Sequence, residues 1–145
     1  MTEQAQTTQP ISLASLMTPS KTVTMEYPGI DGFKVDITYL AREELLKVRN
    51  KCVKQKFNKK TRQFEDELDE DRFLTEYVKG VIRGWTGLKY ADLGQLLLVD
   101  VSAQDPEGEL VYSQENAEVL MKNSNDFDTW VTEITGDLEN FTESK

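Results

Sequence analysis

The stretch FLTEYVKGVIRGWTGL, residues 73–88, decides how the chain is organised. Its apolar residues recur at helical spacing and form one continuous stripe: Phe73, Leu74, Tyr77, Val78, Val81, Ile82 and Trp85. Acidic residues directly before the stripe suit the positive end of a helix dipole. Gly84 can end a helix because glycine accepts a positive φ. The stretch therefore predicts an amphipathic helix from about residue 68 to residue 84.

Trp85 lies between Gly84 and Gly87, and its indole has two interpretations. It ends an apolar stripe, which favours a core position, yet aromatic side chains in such settings also anchor protein interfaces. Trp130 has the same two interpretations, and the core is favoured for both tryptophans. The candidate partner-binding residues of this apolar type are Trp85, Leu88, Tyr90, Tyr112 and Trp130.

Residues 21–40 alternate apolar and polar side chains on both sides of the turn sequence PGIDG. Alternation with a period of two predicts a β-hairpin. The preceding residues, 1–20, are rich in Thr, Gln and Ser and predict a disordered arm, in which only ISLASLM could dock on the domain or on a partner. A lone hairpin is barely stable, so this one is expected to pack against the helices that follow.

Helical patterns dominate the rest of the chain. Residues 41–57 predict a helix with Cys52 on its apolar face, as a small buried hydrophobe. Ser113 is the expected N-cap of a helix over 114–123, and Ser124 or Asn125 caps a last helix. That helix is expected to keep one apolar face, made of Phe127, Val131, Ile134, Leu138 and Phe141. The short apolar run at 91–101 fits a helix or a strand equally well.

The predicted fold class is α+β, mainly α, with the N-terminal β-hairpin packed against a bundle of about four amphipathic helices. The predicted organisation is a disordered arm over 1–20 and a single globular domain over 21–145, with 41–145 mainly helical. A chain of 145 residues with 38% hydrophobic residues is large enough to bury a core without disulfides or metals.

Cys52 is the only cysteine and the chain has no histidine. Disulfide frameworks, Cys/His zinc sites and catalytic triads or dyads need partners that are missing here. The glycine-rich phosphate loops and the calcium-loop spacing are also absent from the sequence. We therefore expect no catalytic residue, no metal site, no cofactor and no enzymatic activity. No apolar stretch is long enough for a membrane span, so no membrane partner is expected.

Charge is strongly polarised along the chain. Residues 42–62 carry nine Lys or Arg and only two acids, whereas EDELDED at 65–71 carries six acids. The basic residues indicate either a solvated face paired with these acids, a docking face for an acidic surface, or a nucleic-acid site. The net charge of −9 argues against nucleic acid. The candidate basic residues are Lys47, Lys51, Lys54 and Lys56, and an adaptor that binds nucleic acid or regulates through the basic 42–62 helix is the alternative function.

The order of these elements resembles the tail assembly chaperones of long-tailed bacteriophages over roughly residues 23–141. In that family a helix commonly runs into a Trp-x-Gly element, followed by an Asp/Gly turn and an aromatic-Ser/Thr-x-Glu-Asn-Ala helix start. The matching residues here are Trp85, Gly87, Leu88, Gly108, Tyr112, Ser113, Glu115, Asn116 and Ala117.

This resemblance implies a non-enzymatic chaperone that binds the long helical tape measure protein and keeps it soluble. Such chaperones also help to recruit tail tube protein, act in the host bacterial cytoplasm during assembly, and leave before the virion matures. Some members have a longer version made by a translational frameshift. The resemblance leaves self-association open. We expect the exposed members of the apolar set to grip client helices and the lysines to steer them.

Overall fold

The computed structural model describes residues 10–142. These residues contain five strands and four α-helices, each helix of ten or more residues. In chain order they are β1 (Ser20–Glu26), β2 (Lys34–Leu40), α1 (Arg42–Lys51), β3 (Val53–Asn58), β4 (Gln63–Leu68), α2 (Glu70–Val81), β5 (Ile82–Thr86), α3 (Gln114–Asn123) and α4 (Asn125–Thr135). Shorter helical segments occupy Leu13–Leu16, Tyr90–Gln95 and Leu138–Phe141. The α+β fold class is confirmed.

Strands β1 and β2 form the predicted N-terminal hairpin, paired from Ser20↔Leu40 to Glu26↔Lys34. The turn between them uses Gly29 and Gly32 at positive φ, which glycine adopts without strain. Before β1, residues 10–19 contain only one exposed helical turn, Leu13–Leu16. The predicted disorder of residues 1–9 lies outside the described residues.

The helix predicted over 68–84 is shorter, and its last part is a strand. Asp69 caps α2, since its carboxylate accepts a hydrogen bond from the Arg72 N–H, and the helix ends at Val81. Strand β5 then pairs antiparallel with β2, so that the sheet order is β1-β2-β5. Gly84 therefore lies opposite Asp36 in a strand and does not end the helix. Helical spacing could not reveal this, because the partner strand lies far away in the sequence.

The helix predicted over 41–57 is also too long. Helix α1 ends at Lys51, and β3 and β4 form a separate two-stranded sheet from Val53 to Leu68. Residues 65–68 of EDELDED thus belong to a strand, whereas Asp69, Glu70 and Asp71 stand at the start of α2 as predicted. Cross-strand pairs such as Lys54↔Glu67 and Lys56↔Glu65 place opposite charges together, which stabilises a hairpin whose first strand lies partly within the helix predicted over 41–57. Residues 53–68 are therefore a strand-forming exception within the segment 41–145, which is predicted to be mainly helical.

The core lies between the three-stranded sheet and the helices. Helices α2 and α4 contact the central strand β2, and α3 packs on both of these helices. Val35 and Ile37 of β2 are fully buried against this layer, together with Val78 of α2 and Val131 of α4. Burying these aliphatic side chains contributes about 1.5 to 3 kcal/mol each, so this layer supplies much of the stability.

The C-terminal half follows the sequence prediction closely. Ser113 and Ser124 cap α3 and α4, since their hydroxyls accept from the N–H groups of Asn116 and Phe127. The ambiguous run at 91–101 is neither a regular α-helix nor a strand: it contains most of the 3-10 helix Tyr90–Gln95, followed by irregular turns. Leu138 is exposed, contrary to the prediction, because α4 ends at Thr135 and the chain changes direction before it.

Candidate functional site

Trp85 lies in the core, where only 6% of its surface is exposed. Trp85 lies on β5, an edge strand of the three-stranded sheet, and its indole packs against Phe33 with ring centroids 6.2 Å apart. The indole Nε1–H donates a hydrogen bond of 3.0 Å to the carbonyl of Leu110. The ring therefore packs in the interior and also attaches the 105–113 segment to the sheet. It does not serve as an exposed anchor.

The other predicted apolar residues surround the same core. Leu88 is fully buried, which excludes it as an exposed contact. Tyr90, Tyr112 and Trp130 are partly exposed and pack against the core cluster. A chain of ring contacts runs through the interior and joins Trp130, Tyr27, Phe33, Trp85 and Tyr112 in that order, with centroids 4.9, 5.7, 6.2 and 5.2 Å apart. We call these five aromatic residues the aromatic spine. They pack against one another in the domain and do not form an exposed platform.

Tyr112 and Tyr27 are the titratable members of the aromatic spine. The Tyr112 hydroxyl donates a 3.0 Å hydrogen bond to the carbonyl of Ile82. Burial raises the pKa of Tyr112, and the nearby Arg83 cation opposes this in part. Burial also raises the pKa of Tyr27, with a further contribution from the Asp126 carboxylate. Both phenols are therefore kept protonated, as the hydrogen bond from Tyr112 requires.

The four predicted lysines do not share a face of one helix. Lys47 and Lys51 belong to α1, where they lie 3.3 Å from Glu44 and 3.6 Å from Glu76. Lys54 and Lys56 lie on β3, and Lys56 is 3.9 Å from Glu67 of β4. The basic 42–62 helix of the alternative function does not exist as such. Surface pairs of this kind contribute little stability, so they fit the interpretation of a solvated face.

A groove that the sequence analysis missed runs along α2 where α3 and α4 pack beside it. It consists of two adjoining depressions of about 520 and 420 Å³ that share Asp71, Leu74 and Lys122. Its apolar floor contains Phe73, Leu74, Tyr77, Val119 and Met121. The floor residues come from separate helices, and the apolar stripe of α2 predicts an amphipathic helix without showing which part of the stripe is left open. The one available signal is the width of the stripe: Phe73, Leu74 and Tyr77 stay partly exposed at its edge and line the groove.

The rim of the groove is acidic. It carries Glu70, Asp71, Glu115, Glu118 and Asp128, with Lys122 as a basic member. Glu118 is held in place, since its carboxylate accepts hydrogen bonds from Thr75 at 3.0 Å and Gln114 at 2.7 Å. An apolar floor with an acidic rim suits an amphipathic helix that has Lys or Arg beside its apolar stripe. We call this surface the α2–α3 groove.

Among residues 10–142, no group of three or more Asp, Glu or Cys side chains is arranged to hold a metal ion. No helix in that range is both long and apolar enough to cross a membrane. No model of a known protein family matches the chain, and neither a curated protein nor a solved structure is significantly similar to it.

Proposed function

We propose that this protein is a bacteriophage tail assembly chaperone without enzymatic activity. It binds the tape measure protein, keeps that long helical client soluble, and helps to recruit tail tube subunits. It acts in the host bacterial cytoplasm during assembly and is not part of the mature virion. The proposal joins the motif resemblance of the sequence to one structural observation, the α2–α3 groove.

The groove supports the proposal because its shape and charge suit a helical client. An amphipathic helix can lay its apolar residues on Leu74, Tyr77 and Val119 while its basic residues approach the acidic rim. Burial of the apolar stripe would prevent client helices from aggregating with one another. The acidic rim would raise the rate at which the protein and its client meet, and it would favour clients that carry basic residues beside their apolar stripe.

The residues that carry the resemblance have structural roles consistent with a shared architecture. Trp85 and Gly87 both bind the segment before α3, through Leu110 and through a 3.2 Å hydrogen bond from the Gly87 N–H to Glu109. Ser113 then caps α3, which forms one wall of the groove. The motif thus helps to position α3, and its residues need not touch the client.

Co-expression with the tape measure protein tests the proposal. That protein is expected as a very long coiled-coil reading frame just downstream of this gene, with a tail tube gene just upstream. The unaltered chaperone should keep it soluble and co-purify with it. Val119→Asp, at a side chain that is 45% exposed in the groove, should weaken the complex at least about tenfold.

Val111→Asp is the matched control, because Val111 is 75% exposed and lies outside the groove lining. It should leave the complex unchanged, provided that circular dichroism shows both variants folded. Trp85→Ala is less informative, since it removes a core side chain. An insoluble tape measure protein in the presence of the unaltered chaperone would refute the proposed function.

The alternative adaptor function is favoured by one feature, the tip of the β3–β4 hairpin. Lys59, Lys60 and Arg62 lie in its turn, and Phe57 and Phe64 beside them are exposed. Cations next to exposed rings can bind single-stranded nucleic acid. A mobility shift with DNA or RNA that weakens with salt would support this function, whereas no shift at low salt would remove it.

A further inference from the structure

The β3–β4 hairpin pairs with no other strand in residues 10–142. Its sheet contains only these two strands, and none of its residues joins the buried core cluster. Both outer edges therefore carry backbone N–H and C=O groups that are open to another strand. A two-stranded hairpin is only marginally stable in water, so this hairpin would gain stability from a further strand.

The two edges carry opposite charges on one face. Lys54 and Lys56 project from β3 on the same face as Glu67 and Glu65 of β4, because these residues are paired directly across the hairpin. The β3 edge is thus basic and the β4 edge is acidic. Two β3 edges, or two β4 edges, would bring like charges together, whereas β3 beside β4 of another copy would alternate them.

The opposite face carries an exposed aromatic pair. Phe57 and Phe64 are paired across the strands with ring centroids 5.3 Å apart, yet they remain 47% and 67% exposed. A further strand in the same register would place another phenylalanine beside each ring, at the strand spacing of about 4.8 Å. Association at the edge would thereby cover apolar surface as well as pair charges.

We propose that this protein associates with itself head to tail through the hairpin, the acidic β4 edge of one copy pairing antiparallel with the basic β3 edge of the next. The occupant of each edge is a second copy of this chain, because its complementary edge matches in charge, register and aromatic position. Such an interface uses two different surfaces, so it builds open chains or rings rather than a closed pair. This inference does not depend on the proposed function.

Charge-altered variants test the inference by sedimentation velocity over a range of concentrations. The unaltered protein should form species larger than the 16.6 kDa monomer, and these should weaken as salt is added. K54E/K56E makes both edges acidic and E65K/E67K makes both edges basic, so each variant alone should associate at least about tenfold more weakly. An equimolar mixture of the two should recover assembly.

The combined variant K54E/K56E/E65K/E67K controls for hairpin folding. It exchanges the charges of the two edges but keeps opposite charges paired within the hairpin and between copies, so it should assemble like the unaltered protein. Phe57→Thr with Phe64→Thr should weaken assembly. Leu98→Thr, at a fully exposed leucine outside the hairpin, should not.

Three results would overturn the inference. The first is an unaltered protein that stays monomeric at every concentration tested, and the second is a discrete dimer that does not grow with concentration. The third is a combined variant that fails to assemble while its circular dichroism matches that of the unaltered protein.

Discussion

Gly87 is the residue at which the loop after β5 meets the turn of the N-terminal hairpin. Its φ is +80°, and a Cβ at this position would overlap the backbone carbonyl of Gly32. An alanine here would therefore meet both an unfavourable backbone conformation and a clash. We expect Gly87→Ala to lower the free energy of unfolding by at least about 2 kcal/mol, as measured by urea denaturation.

Gly94 offers the matched control for this prediction. A Cβ at Gly94 would meet nothing within 4 Å, and its backbone does not need a positive φ. Gly94→Ala should therefore change the free energy of unfolding by less than about 0.5 kcal/mol, or raise it slightly. Equal losses in the two variants would mean that the contact between Gly87 and Gly32 is not the cause.

Tyr112 makes a prediction about alkaline pH. Burial raises its pKa, so the folded state favours the protonated phenol that donates to Ile82. This stabilisation is fully present below the pKa of the unfolded tyrosine, about 10. It is lost as the pH rises through the higher pKa of the folded state. Tyr112→Phe should therefore flatten the loss of stability above about pH 10 and remove one late-ionising phenol from the absorbance titration. A Tyr112 that ionises like a free tyrosine would contradict this.

At the scale of elements, Ser124 joins α3 to α4. Its buried hydroxyl accepts from the Phe127 N–H at 3.1 Å, and its own N–H donates to the carbonyl of Leu120. Ser124→Ala should lower the free energy of unfolding by about 1 to 2 kcal/mol, because water cannot replace a buried cap. Ser113→Ala removes an exposed cap and should cost less, about 0.5 to 1 kcal/mol. The reverse order in thermal or chemical denaturation would contradict this account of burial.

The β3–β4 hairpin should be dispensable for folding. It contributes no residue to the buried core cluster, and the chain on its two sides is already joined by a 2.7 Å hydrogen bond from the Asp69 N–H to the Cys52 carbonyl. Replacement of residues 54–67 by a two-residue Asn-Gly turn should keep cooperative unfolding and shift Tm by no more than about 4 °C. Loss of cooperative unfolding would show that the hairpin belongs to the core unit.

Elements with local signals were predictable from the sequence. The β1–β2 hairpin follows from alternation around a glycine turn, and α3 follows from the Ser113 cap and its apolar spacing. Strand β5 was not predictable in this way, because Ile82 and Trp85 also continue the helical period of α2. Its strand conformation depends on pairing with β2, about 45 residues earlier in the chain.

At the scale of the whole molecule, the candidate site was predicted only in part. The sequence favours the core for Trp85 and Trp130; Trp85 is buried there, whereas Trp130 and Tyr112 are partly exposed and pack against the core cluster. The α2–α3 groove depends on how three helices meet, which no single stretch encodes. The polarised charge was visible in the sequence, and the fold distributes it between an acidic groove rim and a hairpin with opposite edges.

Hydrogen–deuterium exchange with and without the tape measure protein tests the central claim, that a client helix lies in the α2–α3 groove. Client binding should slow exchange within residues 70–77 and 115–123, which line the groove, and should leave exchange in the hairpin at 53–67 unchanged. Protection confined to the hairpin, or unchanged exchange along the groove in a stable complex, would contradict it.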